Sequence, residues 1–121
     1  MDRYDLKART KRYALDVIRL VTSLPQARIA DVLGRQLLRS GTSVGANYRA
    51  ACRARSNADF ASKMGIVEEE ADETAYWLEL LTEGGVLSRQ KAAVLLKESD
   101  ELIAIAVSSI KTARRNARLA K

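Results

Sequence analysis

Apolar residues recur at helical spacing along nearly the whole chain, and the pattern breaks three times. From about Asp5 to Ser23 the repeat is carried by Tyr13, Val17, Ile18, Val21 and Leu24, and Pro25, which cannot continue a helix, marks the first break. A second run from about Arg28 to Arg55 places Leu33, Leu37, Val44, Tyr48 and Ala51 on one side. Ser56, Asn57 and Asp59 then read as a stop and restart, with either Ser56 or Asn57 as the N-cap. The third run, from about Ala58 to Glu83, lines up Phe60, Met64, Val67, Ala71, Thr74, Leu78 and Leu81, and Gly84-Gly85 ends it. Ser88 caps a fourth, with a seam of Ala92, Leu95, Leu96, Leu102, Ile103, Ala106, Ile110 and Ala113. Short connections make consecutive helices antiparallel neighbours. The pattern thus predicts an all-α, up-down-up-down four-helix bundle over residues 1–113. Residues 114–121, R-R-N-A-R-L-A-K, read as a basic tail that frays.

Composition agrees with long helices: of 121 residues only one is Pro and six are Gly, while 47% are hydrophobic. Aromatics are only 5%, so the core is aliphatic and rich in Ala. The absence of His removes the usual general base, the Ser-His and Cys-His pairs, and most zinc and di-iron sites. No enzyme, cofactor or metal is expected. Cys52 excludes an internal disulfide, fits a reducing compartment and reads as a small apolar residue. The N-terminus lacks an apolar signal region, and charges interrupt every long apolar run; these features predict a cytoplasmic protein without membrane spans.

One stretch departs from the simple apolar pattern. Gln36, Ser40, Ser43 and Asn47 fall within roughly 60° of one another on a helix that turns about 100° per residue. That polar stripe borders the apolar one, so a neighbouring helix is expected to meet it with hydrogen-bonding groups. Glu70 and Glu73 share a face of the third helix with Ile66, Trp77 and Leu80 and are placed to meet Gln36, Ser40, Asn47 or an Arg. Gln36 and Asn47 are expected to be buried and bonded to the third helix, with Glu70 or Glu73 as the partners. Trp77 is expected in the core or an interface. Gly41 and Gly45 form a G-x-x-x-G pair on the flank away from this ladder, costing roughly 1 kcal/mol each relative to Ala. Close approach of a backbone compensates, either within the chain or between subunits.

Charge is segregated by helix. Residues 1–27 carry six basic and three acidic groups, 28–57 six and one, 58–84 one and eight, and 85–121 eight and three. The third helix is therefore acidic and the others basic. On the second, Arg28, Arg35, Arg39, Arg49 and Arg53 lie within about 80° of one another on an ideal helix. Five guanidinium groups on one stripe can form a phosphate-binding track. The other reading is that some pair with the acidic third helix. With no interleaved aromatic row, base stacking has no support.

The blocks Q-L-L-R-S-G-T-S-V-G-A-N-Y-R-A (36–50), S-N-A-D-F-x-x-K-M-G-I-V (56–67) and E-E-A-D-E-T-A-Y-W-L-E-L-L (69–81) carry a resemblance. In this order they resemble the four-helix bundle proteins encoded in intervening sequences of bacterial 23S ribosomal RNA genes. The resemblance spans roughly residues 5 to 110. It implies a four-helix bundle that assembles as a homopentamer and has no attached enzymatic activity. Distantly similar bundles are accessory proteins of diversity-generating retroelements, where a basic surface engages nucleic acid and a reverse transcriptase. One departure stands out: the family often carries Glu two residues after the position of Tyr48, and this chain has Ala50.

Two functions follow as expectations. One is a noncatalytic oligomeric scaffold that binds structured RNA or a nucleic-acid enzyme through basic surfaces. The alternative is a protein-interaction module, such as a partner of a reverse transcriptase, without specific nucleic-acid binding.

Overall fold

The computed structural model describes residues 3–120, with side chains from Asp5 onward. Positions 1, 2 and 121 of the expected bundle and tail lie outside the described residues. Four helices account for nearly all the rest: α1 (Arg3–Thr22), α2 (Arg28–Ala51), α3 (Asn57–Glu83) and α4 (Arg89–Leu119). Each packs on two neighbours in the cyclic order α1, α2, α3, α4, and the backbones of the diagonal pairs do not approach closely. That is an up-down-up-down antiparallel bundle. Leu37 and Val44 of α2, Met64, Leu78 and Leu81 of α3, and Val17 of α1 are among the core residues almost wholly withdrawn from water.

The helix ends follow from local chemistry. Ser56 is the N-cap of α3, its side chain accepting from Asp59 N–H, and Ser88 does the same for α4 through Lys91 N–H. Gly85, at φ 80, takes the left-handed conformation after α3, while Val86 N–H reaches back to Leu81 C=O (2.9 Å) and Gly85 N–H to Thr82 C=O (3.1 Å). This is a Schellman closure, and glycine supplies the conformation at least cost.

Two ends differ from expectation. α2 stops at Ala51 rather than Arg55, because Arg53 and Ala54 N–H turn back to Ala50 and Ala51 carbonyls in a tighter pattern ahead of the Ser56 cap. The basic tail does not fray at Ala113. The helix crosses that boundary unbroken to Leu119, where Arg114, Ala117 and Arg118 share a groove with Ala58, Ala61 and Ser62 of α3.

The glycine pair serves contact within the chain. A β-carbon on Gly41 would stand 2.7 Å from Val17 Cγ2, and one on Gly45 3.3 Å from Thr10 Oγ1. Both glycines therefore let α1 approach α2 closely. The seam between α1 and α4 is the thinnest of the four. Its main polar tie is Arg9, whose guanidinium grips Glu98 through two nitrogens (2.6 and 2.7 Å) and reaches Glu101 at 2.9 Å. Those carboxylates hold the Arg9 guanidinium even further toward its charged form than usual.

Candidate nucleic-acid interface

The polar ladder of α2 does not enter the core as a unit. Only Ser40 is buried, and Gln36 lies exposed on the surface. Ser43 donates to Arg39 C=O (2.7 Å), and half-buried Asn47 donates to Ser43 C=O (2.8 Å), so both bond back to their own helix. The expectation that Gln36 and Asn47 meet Glu70 or Glu73 is therefore corrected. The reason is angular: Ser40 stands about 20° to 60° nearer the core centre than its three companions on an ideal helix.

Ser40 belongs instead to a layer of hydroxyls contributed by all four helices. Thr74 of α3 shares its proton between Ser40 Oγ (2.9 Å) and Glu70 C=O (2.7 Å). Across the bundle Tyr13 Oη and Ser99 Oγ lie 2.5 Å apart, and Ser99 gives its own proton to Leu95 C=O (2.7 Å). Tyr13 is consequently the donor. Burial pushes the Tyr13 phenol up to about 12, with its hydrogen bonding to Ser99 and Thr74 opposing the rise. Among the described residues no buried side-chain nitrogen or oxygen lacks a partner. Sequence reasoning missed this layer although its signal was present: Tyr13, Thr74 and Ser99 each sit at a core position of their helix's apolar repeat.

Glu70 and Glu73 face Arg39. Its guanidinium pairs with Glu70 (3.1 Å) and with Glu73, which also accepts from the Trp77 indole N–H (3.2 Å). This fastens α2 to α3, and Trp77 is half-buried against the core beside Tyr76, ring centroids 5.2 Å apart. No group of three or more His, Cys, Asp or Glu side chains placed to hold a metal ion occurs among the described residues.

The arginine stripe of α2 divides. Arg39 is committed to α3, and Arg35 pairs with Asp31 one turn away (2.9 Å) while remaining highly exposed. Arg28 opens α2 at the far end of the bundle. Arg49 and Arg53 are exposed at its other end, and neither forms an ion pair among the described residues. They are not isolated there. Antiparallel packing brings the start of α1, the end of α2, the start of α3 and the end of α4 together. Lys7 and Lys11 of α1 share a groove with Arg49. Arg55 follows in the turn, and α4 adds Lys111, Arg114, Arg115 and Arg118, all exposed.

Little negative charge opposes these groups. Asp59 is engaged by Lys63 (2.7 and 2.8 Å) and by Arg55 N–H (3.3 Å); the Lys63 ammonium, then the Arg55 amide, hold its carboxyl below the usual range. The long acidic run of α3 begins only at Glu68, farther along the bundle. A charge separation that the sequence displays helix by helix thus becomes, in the fold, one basic end.

What this geometry defines is an all-α antiparallel bundle with a polar layer in its core and cations gathered at one end. The sequence pattern of the 23S rRNA-intervening sequence proteins matches residues 3–108, and the chain belongs to that family. A similar solved structure is a protein of unknown function from the S23 ribosomal protein family of Bacteroides thetaiotaomicron VPI-5482. It shares 37% identity and a TM-score of 0.84, covering 92% of this chain and 99% of its own. Comparison with curated proteins finds no match. No helix among the described residues is long and apolar enough to cross a membrane.

Proposed function

We propose that this protein is a noncatalytic, oligomeric scaffold of the cytoplasm that binds structured RNA through its basic end. The observation carrying this reading is the convergence of cations from α1, α2 and α4 on one end, where Asp59 is held by Lys63 and the nearby Glu98 and Glu101 are held by Arg9. Such a field attracts a polyanion, and arginine donors suit phosphate oxygens. Contacts of this kind position a nucleic acid without reading its bases.

The family resemblance implies five copies. Exposed Ile29, Val32, Ile66 and Tyr76 on α2 and α3 support a covered face between subunits. A closed ring repeats the basic end in every copy, so weak phosphate contacts gain avidity.

The test is titration of a labelled RNA stem-loop at several salt concentrations. Binding that weakens steeply and linearly in log salt is expected. Absence of binding at near-physiological salt overturns the RNA reading.

A further inference from the structure

Within the basic end, one concavity has cations on both walls. The groove between α1 and α2 encloses ≈ 500 Å³ and is lined by Lys7, Lys11 and Arg49, with no carboxylate among its lining residues. Thr10, Thr42 and Gly45 lie between them. The Thr10 hydroxyl donates to Leu6 C=O (2.9 Å) and that of Thr42 to Leu38 C=O (2.8 Å). The only side-chain protons free to meet a ligand are therefore those of the three cations. Gly45 keeps the helices close, so the concavity lies over a tight α1/α2 contact. Lys7 and Lys11 are one turn apart, about 6 Å along α1, and so can address neighbouring phosphates of one strand.

Resting on the RNA reading above, we infer that this α1/α2 groove is the track in which one strand of a structured RNA lays its phosphates, held by Lys7, Lys11 and Arg49. Cations on two walls of a concavity focus the field more than a similar number on a convex surface. The exposed arginines of α4 form such a convex set and serve here as the comparison. No aromatic residue lines the groove. The track therefore holds the strand without stacking on its bases.

The experiment compares wild type with Lys7→Gln/Lys11→Gln/Arg49→Gln and with Arg114→Gln/Arg115→Gln/Arg118→Gln. Each variant loses three charges from exposed positions. Circular dichroism and thermal melting confirm that both are folded. The probe is a fluorescein-labelled RNA stem-loop with a single-stranded tail. The groove variant is expected to bind at least about ten-fold more weakly and to lose about 2 from the log–log salt slope, the α4 variant clearly less. Equal losses assign binding to net charge alone and overturn the groove. Wild-type binding with an unaffected groove variant overturns the groove but leaves the RNA reading standing, whereas absence of wild-type binding removes both. Poly-glutamate that displaces the RNA at equal charge concentration, with the same dependence on Lys7, Lys11 and Arg49, assigns the groove to acidic protein segments instead.

Discussion

Gly41 sits so close to Val17 that the β-carbon it lacks would stand 2.7 Å from Val17 Cγ2 and 3.1 Å from its Cβ. Val17 is fully buried and branched next to its backbone, so it cannot swing aside. Gly41→Ala gains up to about 1 kcal/mol of helix propensity but incurs about 1–3 kcal/mol of overpacking. A net loss of stability is expected. Gly65 of α3 has nothing within 4 Å of the equivalent position, so Gly65→Ala is expected to stabilise by about 0.5–1 kcal/mol. Urea denaturation of the two variants beside wild type should show midpoints moving in opposite directions.

Tyr13 makes stability depend on pH in the alkaline range. Its phenol is raised by burial from an ordinary value near 10 to about 12, so the folded state retains a proton that the unfolded chain releases. The corresponding stabilisation is complete below pH 10 and is lost as pH rises through 12. It amounts to roughly 2 to 3 kcal/mol. Tyr13→Phe should remove this alkaline component and lower stability near neutrality by about 0.5–1.5 kcal/mol for the lost hydrogen bond to Ser99. Denaturation midpoints at pH 8 to 11, corrected for the variant's own baseline, check both statements.

These two sites also show what the sequence reveals and what it withholds. The bundle was legible because its signals are local: Pro25, the Ser56 and Ser88 caps and Gly84-Gly85 divide apolar repeats that each fix one helix's buried face. The contact of Gly41 with Val17 needed the relative rotation of α1 and α2, which no single-helix repeat contains. The hydroxyl layer was missed for a related reason. The polar run on α2 is conspicuous within a single helix, whereas the groups that meet in the core come one from each helix. Arg39 illustrates the limit for the surface: its stripe was visible, but the choice between solvent and Glu70 depended on how α3 lies beside α2.

Arg9 is expected to control the thin seam between α1 and α4. It is only 18% exposed and holds two carboxylates, so Arg9→Gln leaves Glu98 partly buried beside a neutral amide. A loss of about 1–3 kcal/mol is expected, larger than for an exposed ion pair. Hydrogen exchange should accelerate in α1 more than in α2 or α3. Uniform acceleration across all four helices would show that α1 does not open separately.

The oligomer is checked by light scattering. Wild type is expected as a closed assembly of five copies at micromolar concentration. Tyr76→Glu/Ile66→Glu introduces charge on the exposed face of α2 and α3 and should yield folded smaller species, since Tyr76 and Ile66 are 53% and 41% exposed in the single chain. A wild-type protein that remains a monomer contradicts the ring.

The central claim is that RNA meets the basic end of the bundle, and cross-linking followed by peptide mapping tests it most directly. Ultraviolet irradiation of the wild-type protein with an RNA stem-loop at near-physiological salt should place nucleotide adducts on peptides from 5–14, 46–56 and 111–119. Cross-links concentrated on the acidic stretch 68–83 of α3, or none above a protein-only control, would contradict the account.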